Sequence, residues 1–227
     1  MFRRLVIPDI HGCAKTFKAL VEKISLTKND TLFLLGDYID RGPDNCGVID
    51  FIIQLQENGY DIHPIRGNHE QEIIEASEEY DTPTFKFYVR RFKSLDLLNS
   101  EGKIKKSYFD FMNNLPYYYD LPDYYLVHGG INFEKNDPFE DKRQLLVLRR
   151  QAYNSEKAGN RRIVFGHQPT YLEDIRLAIE NKAPLIPLDN GCVYTKAHKI
   201  YDYNRLGNLV CFNLDSFELT LQKNIDL

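Results

Sequence analysis

Several features that mark other protein classes are missing from this sequence of 227 residues. No apolar run approaches the roughly 18 residues that a membrane-spanning helix needs, so we predict no membrane partner. The opening segment, MFRRLVIPDI, has too short an apolar stretch for an export signal, and a cytoplasmic location is therefore expected. The net charge of -4 gives nucleic acid no overall attraction, so we predict no nucleic-acid partner either.

Cysteine is also scarce, and its spacing forms no thiolate metal motif. The four cysteines lie far apart, and none belongs to a C-x-x-C pair. Without an export signal, free thiols in a reducing compartment are the expected state. These residues are Cys13, Cys46, Cys192 and Cys211.

The chain contains no internal repeat, low-complexity tract or linker, which predicts a single catalytic domain over residues 1–227. Its 43% hydrophobic and 27% charged residues are typical of a soluble globular protein. Residues 77–115 match no motif and are expected to form a variable, mostly helical segment near the substrate cleft. There, Arg90, Arg91 and Lys93 either face a phosphorylated ligand or lie on a solvated helix face, and the second interpretation is favoured.

The first part of the chain alternates strands with helices. RRLVIPD, DTLFLLGD and YDIHPIRGN have the apolar character of buried strands, while AKTFKALVEKI and CGVIDFIIQLQENG have apolar residues at helical spacing. Such alternation predicts an α/β fold with parallel strands, whose functional residues gather at the carboxyl ends of those strands. LPYYYDL and DYYLVHGGI predict a hairpin and RRIVFGH a further strand, and three segments after residue 184 are expected to be antiparallel strands.

Polar side chains that can bind metals follow the predicted strands, usually beside a glycine. Asp9 and His11 stand two residues apart, so in an extended chain their side chains point the same way. Five separate sites of this kind are hard to obtain by chance, whereas His63 and His198 lack this setting and are assigned no function. The candidate ligands are Asp9, His11, Asp37, Asn68, His128 and His167.

The chemistry of these ligands indicates the kind of metal. Carboxylate, imidazole and amide oxygen without thiolate suit Mn, Fe, Zn or Mg. Two such ions about 3.5–4 Å apart occur in many phosphatases and nucleases, and a bridging carboxylate lets them lie close together. Asp37 would stay ionised because it faces metal cations, and Asp40 needs a cationic or protonatable neighbour for the same reason.

Five short motifs occur in order along the chain: DIHG, GDYIDRG, GNHE, HGG and GHQPT, spread over residues 9 to 170. In this combination they resemble the PPP-type metallophosphoesterases, the superfamily of metal-dependent Ser/Thr protein phosphatases, and particularly their short bacterial and phage-like members. The resemblance implies a metallophosphoesterase fold, in which helices flank a central β-sandwich of mixed sheets. The dinuclear metal site would lie at the strand ends.

The resemblance further implies two divalent metal ions, with Mn expected and Fe or Zn as alternatives. In this family pattern Asp37 would bridge the two ions. The first metal would be bound by Asp9 and His11, and the second by Asn68, His128 and His167.

The catalytic groups are also implied by the resemblance. A hydroxide held by the metals would attack phosphorus, with His69 as the general acid and Asp40 orienting it. Arg41 would bind phosphoryl oxygens together with a second arginine, for which Arg149 is the first choice and Arg150 the fallback.

Three functions follow from this resemblance. Hydrolysis of phosphorylated Ser or Thr in proteins is favoured, and hydrolysis of dinucleoside polyphosphates such as diadenosine tetraphosphate is the alternative. Enzymes that cleave the latter symmetrically commonly lack the dyad aspartate and have G-N-H-D, whereas this chain has Asp40 and Glu70. A catalytically inactive phosphate-binding module is disfavoured because no ligand is missing. The expected partner is a phosphorylated protein or a small phosphoester, and the oligomeric state is left open.

Overall fold

The core of the protein is a sandwich of two mixed sheets, seen in a computed structural model that describes residues 2–149, 151–196 and 202–227. The first sheet has the strand order β3-β2-β1-β8-β9, with β1 to β3 parallel and β8 and β9 antiparallel to their neighbours. Its strands are β1 (Arg4–Ile7), β2 (Thr31–Leu34), β3 (Asp61–Pro64), β8 (Asn208–Asn213) and β9 (Leu219–Lys223).

The second sheet has the order β4-β5-β6-β7. Here β4 and β5 form the antiparallel hairpin that the sequence predicts, while β5, β6 and β7 are parallel to one another. The strands are β4 (Tyr118–Asp120), β5 (Tyr124–Val127), β6 (Arg162–Phe165) and β7 (Leu185–Pro187).

Alternating side chains along these strands build separate cores. In β1, Val6 packs between the sheets, whereas Leu5 and Ile7 pack against helices on the outer face. In β5, Leu126 faces the sandwich and Val127 faces the outer cluster around α6. This period of two is the geometry of a strand that is buried on both faces.

Seven α-helices flank the sheets in the described residues, and none is long and apolar enough to span a bilayer. The fourth helix begins at an Asp81 cap, whose side chain accepts the backbone N–H of Thr84, and it ends at Lys93 in the left-handed conformation. The helices are α1 (Ala14–Lys23), α2 (Asn45–Glu57), α3 (Asn68–Glu79), α4 (Thr82–Phe92), α5 (Lys106–Asn113), α6 (Lys142–Val147) and α7 (Leu172–Glu180). Short 3₁₀ turns cover Leu95–Leu97 and Tyr203–Arg205.

The structure confirms the metallophosphoesterase-type α/β fold and corrects one element. The expected antiparallel strand after residue 184 is β7, which instead pairs in parallel with β6, so that Val164 lies opposite Ile186. A parallel edge strand is possible because α7 connects β6 to β7 as a crossover. The four cysteines are free thiols, as predicted.

Candidate dinuclear metal centre

The carboxyl ends of six parallel strands, three from each sheet, meet at one rim of the sandwich. The loops after β1, β2 and β3 come from the first sheet, and those after β5, β6 and β7 from the second. Ligands at the carboxyl ends of parallel strands are the rule in open α/β sheets. The candidate residues on these loops and in the first turn of α3 are Asp9, His11, Asp37, Asp40, Arg41, Asn68, His69, His128 and His167.

The loops of the first sheet are held by a buried carboxylate, Glu70 of α3. It accepts the backbone N–H groups of Asp37, Tyr38 and Gly67 at 2.9, 2.8 and 2.9 Å. These bonds tie the loop after β2 to the first turn of α3, so that Asp37 and His69 approach each other. The backbone N–H of His69 donates to Asp37 Oδ1 at 3.1 Å.

Several residues at the rim have strained backbone conformations, and two glycines there lie close to carboxylate side chains. Left-handed φ values occur at several site residues, which costs free energy that the surrounding packing must offset. Any side chain at Gly67 would collide with the Asp37 carboxylate, and any side chain at Gly166 with that of Asp9. The residues with positive φ are His11, Asp37, Asp40, Arg41 and His167.

Two groups of potential metal donors share the Asp37 carboxylate. One consists of His11, Asp37 and His69, the other of Asp37, His128 and His167, and in each group the donor atoms lie within 4.8 Å of one another. Asn68 Oδ1 adds an amide oxygen, 3.0 Å from His128 Nε2 and 2.9 Å from His167 Nδ1. The two groups could therefore hold two divalent cations, with the Asp37 carboxylate as a ligand common to both.

The tautomers of the imidazoles indicate that cations fit here. His11 Nδ1 and His128 Nδ1 each lie 2.8 Å from a backbone carbonyl, of Ile39 and Leu35, so each Nδ1 must carry the proton. Their Nε2 lone pairs then lie 3.5 and 3.3 Å from Asp37 oxygens, and Arg41 Nη1 also lies 3.0 Å from the Nε2 of His11. Acceptors that face acceptors in a buried site are stabilised by a cation between them.

Electrostatics keep the imidazoles in the neutral form that metals bind. Burial lowers the pKa values of His11 and His128, and burial together with His128 and Arg149 lowers the pKa of His167 to about 3. Asp37 is buried as well, yet the surrounding histidines and Arg41 hold its pKa below the usual range. It is therefore a carboxylate at neutral pH.

Asp9 is also buried at this rim but belongs to neither donor group. Its carboxylate accepts the backbone N–H of His167 at 2.9 and 3.0 Å. Burial, Asp189 and Asp37 raise the pKa of Asp9, because three carboxylates share a confined space. Cations at this rim would relieve that repulsion, which is consistent with a ligand role for Asp9.

His69 and Asp40 form a buried pair at the edge of the donor groups. His69 Nδ1 lies 2.5 Å from Asp40 Oδ2, so Asp40 has the protonatable neighbour that its burial requires. Burial disfavours the imidazolium, but Asp37 and the hydrogen bond to Asp40 outweigh it and raise the pKa of His69 to about 9. Although His69 belongs geometrically to the first donor group, this environment favours a charged proton donor.

The two predicted arginines reach the site from opposite sides. Arg41 Nη1 lies 3.0 Å from His11 Nε2, and its Nη2 lies 3.0 Å from His69 Nε2. Arg149 is exposed, and its Nε lies 3.3 Å from His167 Nε2. The fallback Arg150 lies outside the described residues, as does His198. His63 lies on the edge strand β3, where its Nε2 is 2.7 Å from Asp61 Oδ1.

Sequence reasoning missed two residues that act on this site. Ser94 Oγ donates a short hydrogen bond to Asp40 Oδ1, and no local motif signals a contact across 54 positions. Asp189 follows β7 and is buried, and burial and Asp37 raise its pKa to about 6. The segment PLIPLDNG has the same apolar run, carboxylate and glycine as the other strand ends, so this signal was available.

Comparisons with known proteins agree with this geometry. The sequence profile of the calcineurin-like phosphoesterase family matches residues 2–212. A symmetrical bis(5'-nucleosyl)-tetraphosphatase of Wigglesworthia glossinidia brevipalpis is 40% identical over 70 residues, which cover 30% of this chain and 25% of that protein. The protein of the same name from Chromobacterium violaceum is 29% identical over 128 residues, covering 55% of this chain and 42% of that one. The chain thus matches less than half the length of these relatives.

Solved structures show the same fold along nearly the whole chain. A protein proposed to be a diadenosine tetraphosphatase superposes with a TM-score of 0.69 at 18% identity, covering 99% of this chain and 95% of that one. A protein serine/threonine phosphatase from Saccharomyces cerevisiae superposes with a TM-score of 0.60 at 17% identity, covering 98% and 79%. At these identities the likeness concerns the fold alone.

Proposed function

Because the chain belongs to the calcineurin-like phosphoesterase family, we propose that it is a two-metal hydrolase of dinucleoside polyphosphates. The family and the shared-carboxylate geometry of the two donor groups support metal-dependent phosphoester chemistry. The substrate rests on one observation, the match of the motif-bearing region to symmetrical bis(5'-nucleosyl)-tetraphosphatases. The sequence alone favoured a protein phosphatase, and these relatives favour its alternative instead.

The metals would occupy the two donor groups at the rim. Asp37 would bridge them, and the remaining ligands would be Asp9, His11, Asn68, His128 and His167. When bound, two divalent ions would activate a water molecule and neutralise charge on the phosphoryl group. Mn is the proposed metal, with Fe or Zn as alternatives.

Arg41 and His69 offer converging hydrogen-bond donors to the phosphoryl group. With its pKa of about 9, His69 carries a proton on Nε2 at neutral pH, and this N–H lies 3.0 Å from Arg41 Nη2. Two donors that face each other repel, whereas a phosphoryl oxygen can accept from both. Arg149, which follows α6, lies beside His167 and would hold another phosphoryl oxygen.

His69 would also protonate the leaving oxygen. Asp40 accepts the Nδ1–H, which leaves Nε2 facing the substrate. As the bond from phosphorus to the leaving oxygen breaks, the Nε2 proton passes to that oxygen. Ser94 binds the other oxygen of Asp40, and the carboxylate therefore keeps its orientation during the transfer.

Hydrolysis of phosphoserine or phosphothreonine in proteins is the second candidate, and the intact Asp40–His69 pair is the observation that favours it. A serine alkoxide is a poor leaving group that depends strongly on a proton donor. A nucleoside diphosphate leaves more readily. A tightly held general acid would therefore matter more for the phosphoprotein reaction.

A substrate panel decides between the two candidates. The purified protein with Mn is assayed on diadenosine tetraphosphate, a phosphoserine peptide and p-nitrophenyl phosphate, and the nucleotide products are separated by chromatography. We expect kcat/KM for diadenosine tetraphosphate to exceed that for the peptide by about tenfold or more, with ADP as the product. A preference of that size for the peptide would overturn the dinucleotide proposal in favour of the second candidate.

A further inference from the structure

A positively charged cavity lies beside the proton donor of the candidate site. It has a volume of about 470 Å³ and lies between the end of α4 and the chain that follows Asp189. We refer to it as the α4 cavity. Its lining includes Arg41, Arg91, Phe92, Lys93, Tyr194 and Lys196.

We propose that the α4 cavity binds the leaving group of the substrate, and that this group is anionic, a nucleoside diphosphate. This inference rests on the proposed function and deepens it, because it assigns a place to the part of the substrate beyond the scissile bond.

The position of the cavity indicates which part of the substrate would enter it. Arg41 both lines the cavity and contacts His69, and the ring of Phe92 lies 6.2 Å from the ring of His69. In an in-line displacement, the leaving oxygen lies next to the general acid. The group that departs on the His69 side would therefore extend into the α4 cavity.

The charge of the cavity indicates the chemistry of that group. Four cationic side chains line it, and the described lining residues include no aspartate or glutamate. Within the part of the chain that the structure describes, no carboxylate forms an ion pair with Arg91, Lys93 or Lys196. Such a surface attracts phosphate oxygens. Phe92 and Tyr194 add aromatic surface on which a base can stack.

The cavity on the other side of the site differs in charge. It has a volume of about 200 Å³ beside Asn68 and is lined by acidic and basic side chains together, including Glu72, Glu75, Lys142 and Arg143. Mixed charge gives an anionic group little net attraction. Of these two cavities, the one on the His69 side is the better suited to a leaving group with several phosphate charges.

Two hydrogen bonds fix the α4 cavity relative to the loop after β2. The Arg41 N–H donates to the Phe92 carbonyl at 2.8 Å, and Lys93 Nζ donates to the Arg41 carbonyl at 3.0 Å. These two bonds join the end of α4 to the loop that carries Asp40 and Arg41. The segment 77–115, for which the sequence offers no motif, thus supplies one wall of the substrate cleft.

Arg91 provides the test, because it is exposed, lines the cavity and has no hydrogen bond to the catalytic groups within the described residues. The variants are Arg91→Gln and Arg91→Glu, and Arg90→Ala is the matched control, since it removes a neighbouring exposed arginine that does not line the cavity. Thermal denaturation and metal analysis of each variant verify that fold and metal content are kept.

The first measurement compares substrates with different leaving groups. For Arg91→Glu we expect the ratio of kcat/KM on diadenosine tetraphosphate to that on p-nitrophenyl phosphate to fall about tenfold, with a smaller fall for Arg91→Gln. The Arg90→Ala control should leave this ratio at the wild-type value. An unchanged ratio in Arg91→Glu would overturn the proposal.

The second measurement does not depend on the natural substrate. ADP and inorganic phosphate are compared as inhibitors of p-nitrophenyl phosphate hydrolysis, with Mn in excess over the inhibitor. Arg91→Glu should raise the inhibition constant of ADP about tenfold and leave that of inorganic phosphate nearly constant. If the wild type does not cleave diadenosine tetraphosphate but this pattern holds, the proposed function fails and the anionic subsite stands. Equal inhibition constants for ADP in wild type and Arg91→Glu would overturn the subsite whatever the substrate.

Discussion

Buried aspartates lie at both ends of β2 and beyond the carboxyl end of β1, and the amino and carboxyl ends serve different purposes. At the amino ends lie Arg3 and Asp30, and at the carboxyl ends lie Asp9 and Asp37. Asp30 and Asp37 are both about 1% exposed. The two residues are of the same type, are equally buried and flank the same strand. Any difference in their roles must therefore come from the groups around them.

Asp30 obtains its hydrogen-bond partners from the protein. Arg3 Nε and Nη2 donate to it at 2.8 and 2.6 Å, and the backbone N–H and hydroxyl of Thr27 donate at 2.8 and 2.9 Å. The hydrogen bond from Arg3 holds the pKa of Asp30 well below its usual range. Such a satisfied carboxylate has a structural role.

Asp37 has one backbone donor, His69 N–H, and is otherwise surrounded by imidazole nitrogens. Two of those imidazoles already use their N–H groups on backbone carbonyls. The Nε2 atoms of these two imidazoles are therefore acceptors beside a buried carboxylate, an arrangement that an external cation would stabilise. Burial is the same for the two aspartates. What distinguishes the structural carboxylate from the candidate functional one is whether protein donors satisfy its oxygens.

The strongest test of this contrast removes the unsatisfied charge. Under the proposed two-metal mechanism, Asp37→Asn should lose bound metal and phosphoesterase activity together, because it removes the carboxylate that the two donor groups share. Adding Mn should raise the Tm of the wild type by linkage and should leave the Tm of this variant unchanged. Elemental analysis and thermal denaturation measure both effects.

The matched control is Asp30→Asn, which should retain wild-type metal content and the Mn-dependent rise in Tm. Two metals per chain in Asp37→Asn would mean that Asp37 is not the bridging ligand.

The next test separates proton transfer from metal binding within the rim. His69→Asn should keep both metals and lose about 10²–10⁴ in turnover, with a larger loss on a phosphoserine peptide than on p-nitrophenyl phosphate. His167→Asn is the comparison variant and should lose metal instead. Metal loss in His69→Asn, or equal losses on the two leaving groups, would mean that His69 is a metal ligand or a structural residue and not the general acid.

Substitution of Arg41 and of Arg149 should have smaller effects on activity, and the two effects should differ in size. Arg41→Ala should lower kcat/KM about ten- to a hundredfold, because it removes charge-assisted hydrogen bonds to the phosphoryl group. Arg149→Ala should fall at the lower end of that range, since Arg149 is exposed and its charge is screened. Both variants should retain their metals. Wild-type kinetics for Arg149→Ala would transfer the second phosphate contact to Arg150.

The smallest effect concerns stability at the opposite end of the strands. Asp30→Asn should lower the free energy of unfolding by about 1–2 kcal/mol, because Arg3 is partly exposed and the pair is partly screened. For a chain of this size that corresponds to a fall in Tm of about 2–8 °C.

The effect of Asp30→Asn should also depend on pH. The folded-state pKa of Asp30 is depressed, so its contribution is complete above the unfolded pKa of about 4 and is lost as the pH falls further. Thermal denaturation at pH 7 and at about pH 2.5 compares the variant with the wild type, and the Tm difference should shrink at the lower pH. A constant difference would show that Asp30 acts through packing.

Much of the site could be predicted from the sequence because its signals are local. An apolar strand that ends in a glycine and a carboxylate or histidine is readable within ten residues, as at Asp9, Asp37 and His128. The chemical type of the partner of Asp40 could also be predicted, because a buried carboxylate needs a cationic or protonatable neighbour. The structure provides that neighbour as His69.

Contacts between distant segments could not be predicted in the same way. The direction of β7 depends on which strand it pairs with, and an apolar run has the same pattern in either direction. Because β7 runs parallel to β6, its carboxyl end reaches the rim and brings Asp189 near Asp9 and Asp37. An antiparallel strand would have placed Asp189 at the opposite end of the sandwich.

The sequence by itself therefore determined the alternation of strands and helices along the first half of the chain. It also determined the residue types at the rim and the class of metal that suits them. These properties follow from local periodicity and donor chemistry, which neighbouring residues decide. Tertiary structure alone decided that Ser94 orients Asp40 and that Arg91 and Lys93 join Arg41 around one cavity. Their placement depends on how α4 packs beside the loop after β2, and packing between segments about 50 residues apart leaves no periodic pattern in the chain.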